Sequence, residues 1–146
     1  MYTLIIVDDE RDIVNALRTN VPWKDMGFVV PATFTDSAAA YDYMRMHHVD
    51  VLLADIVIDS MTGLDLAKGH REINPSGQTV LLSAYDSFKF AQKAIEVRVY
   101  RYLLKPTRVS ELECVLRELK AELDVKNETA AENTDIQGNH AIENQC

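Results

Sequence analysis

The sequence predicts an α/β fold, a doubly wound parallel sheet of five strands in the order 2-1-3-4-5 with helices on both faces. Three observations predict it. Short apolar runs alternate with stretches of helical period from residue 2 to about residue 123, giving five strand–helix units. Several runs are continuously apolar, as strands buried on both faces are. Three of them end in charge. Leu4-Ile5-Ile6-Val7 runs into Asp8-Asp9, Val51-Leu52-Leu53-Ala54 into Asp55, and Tyr100-Arg101-Tyr102-Leu103-Leu104 into Lys105-Pro106. Parallel strands place those ends along one edge, where open α/β sheets bind ligands.

The elements follow in order. Tyr2–Val7 is the first strand, and Asp12–Val21 a helix with Ile13, Leu17 and Val21 on one face, stopped by Pro22. Phe28–Thr33 is a second strand; Pro31 inside it removes an amide donor and assigns it to an edge. Asp36 suits the N-cap of a helix reaching about His47. Asp50–Ala54 is the third strand, Gly63–Ile73 a helix closed by Asn74-Pro75, and Gln78–Ser83 the fourth strand. Asp86 is expected to cap a helix carrying Phe88, Ala91, Ala94 and Ile95, and Val99–Leu104 is the fifth strand. Ser110-Glu111-Leu112-Glu113 has capping-box spacing. The helix behind it carries Leu112, Val115, Leu116, Leu119 and Leu123 in one stripe. Residues 124–146 have Val125, Ile136 and Ile142 as their only sizeable apolar side chains, which predicts a flexible polar linker or tail.

Composition narrows the function. The 146 residues, 47% of them hydrophobic, suit one domain with a full core. A net charge of −8 is repelled by phosphate backbones, so these residues are not expected to grip DNA themselves. No apolar run approaches the ~20 residues of a membrane span, and no basic stretch with an apolar core opens the chain. Cys114 and Cys146 are too few for a disulfide framework, so reduced thiols in a cytoplasmic protein are expected.

The sheet order brings Asp8, Asp9, Asp55, Ser83 and Lys105 to the ends of neighbouring strands. Clustered carboxylates repel one another unless a cation joins them. Mg2+ suits such a site because it takes oxygen ligands and retains waters. Asp55 could then act as a nucleophile towards a phosphoryl group, with the metal and Lys105 neutralising charge on it and Ser83 offering a hydroxyl. Taken singly, each residue has a plainer reading: Asp-Asp after a strand caps a helix, Ser83 caps a turn, Lys105 is a solvated loop charge. Taken together, in order and at one edge, they favour the site.

At this point the chain resembles the two-component response-regulator receiver domains. The resemblance covers residues 2–123 and rests on Val7-Asp8-Asp9-Glu10, Asp55, Met61-Thr62-Gly63, Leu82-Ser83-Ala84 and Tyr102-Leu103-Leu104-Lys105-Pro106. It implies a flavodoxin-like fold, with a receiver over 1–123 and Asp55 as phosphoacceptor. It implies Mg2+ held by Asp8, Asp9, Asp55 and the backbone carbonyl of Val57, and Lys105 and Ser83 acting on the phosphoryl group beside the Ala84 amide. It further implies Ser83 and Tyr102 as a switch pair: the serine is drawn to the phosphoryl group and the tyrosine rotates inward, shifting the population between two packings. The partners implied are a sensor histidine kinase, a second receiver in a homodimer, and DNA only through an output domain not in these residues. No membrane is implied.

Val21-Pro22-Trp23-Lys24-Asp25-Met26-Gly27-Phe28 and Ala84-Tyr85-Asp86-Ser87-Phe88 are similar to receivers that precede AraC-type (YesN-like) helix-turn-helix domains. A stand-alone phosphorelay or protein-interaction receiver is the alternative. An aspartyl-nucleophile phosphohydrolase would want a second acid two residues after its nucleophile, where this chain has Val57, so turnover as an enzyme is not expected. Two positions depart from the family pattern: Asp59 where proline is usual, and Arg98 where glycine is usual. Val57 and Tyr85 flank the approach to Asp55 by analogy, and their bulk predicts slow loss of the phosphoryl group.

Overall fold

A computed structural model describes residues 1–58 and 61–132. Five parallel strands, β1 (Tyr2–Val7), β2 (Phe28–Phe34), β3 (Val51–Asp55), β4 (Gln78–Ser83) and β5 (Arg101–Leu104), pair in the order β2-β1-β3-β4-β5. Helices α1 (Arg11–Asn20), α2 (Ser37–Met46), α3 (Gly63–Ile73), α4 (Phe88–Glu96) and α5 (Val109–Glu132) follow them in turn. The fold class and sheet order are those expected. Met1–Thr107 form one compact unit; a second begins at Arg108.

Burial explains the strand sequences. β3 lies at the centre and all five of its residues are buried. In β1, Leu4, Ile5, Ile6 and Val7 are each 1% exposed or less. Fully burying such a side chain stabilises the fold by about 1.5–3 kcal/mol before entropy is counted. β2 is an edge strand, as Pro31 requires. Its pairing with β1 steps from Thr3–Val29 to Ile5–Ala32, so β2 carries an extra residue where proline has no amide to donate. β5 starts at Arg101, two residues later than expected: the Val99 amide closes the turn after α4 on the Ala94 carbonyl, and the Tyr100 amide donates to the Thr79 carbonyl of β4 at 2.7 Å, leading into the strand.

The helix starts are fixed by caps. Asp36 accepts from the Ala39 amide at the start of α2, as expected. Thr62 and Asp65 form a reciprocal capping box on α3. The cap of α4 is Ser87, which accepts from the Phe90 amide at 3.2 Å, and not Asp86, the residue before it. Both residues are competent caps, so type alone could not separate them.

Arg98 has φ 62°, in the left-handed region. The Val99 amide donates to the Ala94 carbonyl and the Arg98 amide to that of Ile95, at 3.1 and 3.0 Å. This is a Schellman closure of α4, a position glycine usually fills. Arg71 of α3 donates to the Arg98 carbonyl at 2.9 Å, tying the turn to its neighbour. The other departure, Asp59, lies outside the described residues.

α5 differs most from expectation. It begins at Val109, so Ser110 lies inside the helix rather than at its cap, and the Leu112 amide donates to the carbonyl of Arg108. The expected stripe is buried, from Leu116 at 0% to Leu123 at 6% exposure. The helix continues past Leu123 to Glu132. The ion pair Lys120–Asp124, four residues apart, supports it where apolar side chains thin out, as Glu113–Arg117 does earlier within the stripe. Cys114 is disulfide-bonded, against the expectation of a reduced thiol there; Cys146, with the rest of 133–146, lies outside the described residues.

Candidate functional site

The register of the sheet assembles the site. Val7 pairs with Ala54, Asp55 with Leu82, and Ser83 with Leu104. Each strand stops at nearly the same level, and the next residues project from one edge: Asp8 and Asp9 after β1, Asp55 at the end of β3, Ser83 at the end of β4, Lys105 after β5. The Lys105 amide donates to the Ser83 carbonyl at 2.8 Å, extending the last pairing by one step. The Lys105–Pro106 peptide bond is cis.

Lys105 Nζ reaches back across the edge and donates to Asp8 Oδ2 at 2.7 Å and Asp55 Oδ2 at 3.2 Å. Asp8 is 1% exposed and Asp55 8%. Asp9 is exposed, yet it offers an oxygen that lies, with one each from Asp8 and Asp55, inside a cluster 4.8 Å across. The Glu10 amide donates to Asp8 Oδ1 at 3.0 Å, and the Val57 amide to Asp55 Oδ1 at 3.3 Å. Two of the three carboxylates therefore share one ammonium, and the third, Asp9, stands beside them.

The electrostatics follow from that imbalance. Burial raises the Asp55 carboxyl above its ordinary 3.8; Lys105 lowers it and Asp8 raises it again, and the balance is upward. Lys105 sits nearer Asp8, so it cannot fully compensate Asp55. For Lys105 itself burial acts downward, but the hydrogen bond and charge of Asp8, with Asp55 behind it, outweigh burial and hold the ammonium above its ordinary 10.5. The lysine stays charged while ionised Asp55 remains under-compensated, which is an arrangement that gains from a further cation.

Ser83 is fully buried, and its hydroxyl does not reach the carboxylates. It accepts from the Tyr85 amide at 2.9 Å and donates to the Tyr85 carbonyl at 3.3 Å. Tyr102 is half-buried on β5, packs against the core, and donates its hydroxyl to the same carbonyl at 2.9 Å. Val57 and Tyr85 are 42% and 55% exposed.

Sequence reasoning missed two supports. At Gly63 a Cβ would collide with the backbone oxygen of Asp55, so only glycine lets α3 start this close to the site. The Gly63 amide donates to the Ile56 carbonyl at 2.8 Å. The Thr62-Gly63-Leu64-Asp65 spacing was a legible cap signal; the glycine's closeness to Asp55 had none. The second is the Tyr85 carbonyl, a backbone atom that no residue type announces.

Comparison with known proteins identifies the family of the chain. Residues 4–117 match the family of the response regulator receiver domain. An uncharacterized response regulatory protein of Staphylococcus epidermidis is 34% identical over 116 residues, covering 80% of this chain and 45% of that protein. The uncharacterized transcriptional regulatory protein YesN of Bacillus subtilis is 30% identical over 134 residues, 89% of this chain and 36% of that protein. The chain thus spans less than half the length of these relatives. Among solved structures, the REC domain of AraT, a response regulator from Geobacillus stearothermophilus, superposes with a TM-score of 0.81 at 34% identity, covering 86% of this chain and 98% of that one. The strand-end carboxylates, the lysine across them and the 2-1-3-4-5 sheet are set in a chain that belongs to the response regulator receiver domain family.

Proposed function

We propose that this chain is a phosphorylation-driven signalling receiver whose acceptor is Asp55. The observation that carries the reading is Lys105 Nζ spanning Asp8 and Asp55 at 2.7 and 3.2 Å, a cation held beside a carboxylate it only partly neutralises. A carboxylate oxygen of Asp55 attacks phosphorus on a phosphohistidine of a sensor kinase. The new O–P bond forms as the P–N bond breaks, and the imidazole leaves with the electron pair. Lys105 offers its proton donors to the phosphoryl oxygens, and the Val57 amide, already on Asp55, orients the carboxylate.

The donor set fits Mg2+: three hard carboxylates, one of them exposed, within 4.8 Å. Asp8, Asp9 and Asp55, with the Val57 carbonyl, are the residues that would hold it. When bound, the ion neutralises charge on the transferring group.

The downstream reading rests on the relatives. YesN and the HptR protein of Staphylococcus aureus are transcriptional regulators more than twice as long as the stretch this chain matches. An output domain that binds DNA, cytoplasmic action and a receiver homodimer belong to that reading. No helix among the described residues is long and apolar enough to cross a membrane. The reading in which the chain acts as a stand-alone relay shares the same site.

Incubation with acetyl phosphate and Mg2+ tests the site directly by intact mass. The wild type gains one phosphoryl group and Asp55→Ala gains none. Equal gain by both proteins overturns the assignment.

A further inference from the structure

We infer that the groove between α3 and α4 is a docking site for an acidic, amphipathic segment of a partner protein. The groove has a volume of about 1040 Å³ and is lined entirely within Met1–Thr107. Its rim is cationic. Lys68 and Arg71 stand on the α3 side, Lys89 and Lys93 on the α4 side, and Arg98 closes one end. None of these five forms an ion pair among the described residues. Arg71 spends one donor on the Arg98 carbonyl and the other four make no side-chain hydrogen bond there.

Three acids share the groove, but Asp65 is committed to the α3 cap, leaving Glu72 and Glu96. The surplus is positive on a chain whose net charge is −8. Such a local reversal attracts an acidic partner that the rest of the surface repels, and so selects where it lands.

The lining also has an apolar part: Leu64, Phe90 and Val97, each half-buried. Phe90 packs against the core with its ring edge-on to Tyr85 at 6.4 Å, so it presents a fixed surface. A cationic rim around an apolar strip, running beside helices of eleven and nine residues, matches an extended or helical segment that alternates carboxylates with large apolar side chains. A nucleic acid fits less well, because the surplus is small and the chain as a whole repels phosphate.

The groove does not use Asp55, so the test runs on unphosphorylated protein and stands apart from the phosphotransfer reading. The probe is a fluorescein-labelled, helix-forming peptide of glutamates with leucine at helical spacing, followed by anisotropy and by amide shifts of isotope-labelled protein. The expected result is saturable binding that shifts the amides of Lys68, Lys93 and Val97. It weakens by about tenfold or more in Lys68→Glu/Lys93→Glu and with added salt, and it also weakens in Phe90→Leu. All of these variants are checked for folding by circular dichroism, and the reversed lysines are exposed. No saturable binding, binding undiminished by the charge reversal, or shifts that map elsewhere would overturn the proposal. So would tighter binding of a double-stranded oligonucleotide to the same groove.

Discussion

Ser83 and Tyr102 meet at one atom: both hydroxyls donate to the backbone carbonyl of Tyr85, at 3.3 and 2.9 Å. Ser83 also holds the Tyr85 amide at 2.9 Å. The two residues of the proposed switch are thus joined through a peptide that belongs to neither. If Ser83 turns to a phosphoryl group on Asp55, it leaves that amide and carbonyl, and Tyr102 becomes the remaining side-chain anchor of the β4–α4 turn.

Ser83→Ala should therefore separate phosphorylation from its readout. Removing the hydroxyl leaves the Tyr85 amide without its partner and costs about 1–3 kcal/mol in unfolding free energy. Phosphoryl uptake at Asp55 continues at a reduced rate. The ring resonances of Tyr102, followed by NMR with labelled tyrosine, shift on phosphorylation in the wild type and stay in place in the variant. A full wild-type shift in Ser83→Ala would refute the link.

Loss of the phosphoryl group should be slow. Val57 and Tyr85 are exposed two residues after Asp55 and Ser83, and by analogy with the family an apolar branched side chain and a ring at these positions hinder water approaching an acyl phosphate. Replacing them by Val57→Asn and Tyr85→Ala should speed decay of the phosphorylated protein by roughly tenfold, about 1.4 kcal/mol in the barrier. Decay is followed by intact mass after removing the phosphodonor. Unchanged lifetimes would remove these side chains from the account.

Arg98→Gly should stabilise the protein. A residue with a Cβ at φ 62° carries a penalty of roughly 1–2 kcal/mol that glycine avoids. Glycine's extra freedom in the unfolded chain returns part of it, so the net gain is about 0.5–1 kcal/mol. Urea unfolding measures it as a higher midpoint at unchanged slope. Arg71→Ala, which removes the bond to the Arg98 carbonyl, should act in the opposite direction.

His70 predicts a pH dependence of stability. It is 1% exposed, its Nε2 lies 2.7 Å from the Val49 carbonyl, and its Nδ1 has no partner among the described residues. Burial lowers its pKa below the ordinary 6.5, with the Val49 carbonyl opposing. The neutral ring is the form the fold accepts. Its contribution is complete above pH 6.5 and is lost as pH falls through the lowered folded value. His70→Gln, which retains an amide donor for Val49, should flatten the acid side of a plot of melting temperature against pH. Parallel wild-type and variant curves below pH 6.5 would count against it.

Sheet order and the shared strand edge were legible because burial on both faces writes continuous apolar runs, and a charge ending such a run is conspicuous. Asp8, Asp9, Asp55 and Lys105 could be brought together on that basis. Cap identities were less legible. Asp86 and Ser87 are chemically equivalent candidates, and Ser110 has the right spacing two residues too late. The end of α5 was hidden because Lys120–Asp124 pairing extends a helix without the apolar stripe that marks one. The Arg98 turn was legible as a conflict between residue and conformation. The hydrogen bond from Arg71 that tethers it crosses from another helix and could not be read locally.

Gly63 leaves no room between the first turn of α3 and the carbonyl of Asp55. Any side chain at position 63 would have to push the start of α3 away from the end of β3. A glycine with no chemistry of its own thus sets how closely a helix can stand behind the carboxylate at the centre of the site.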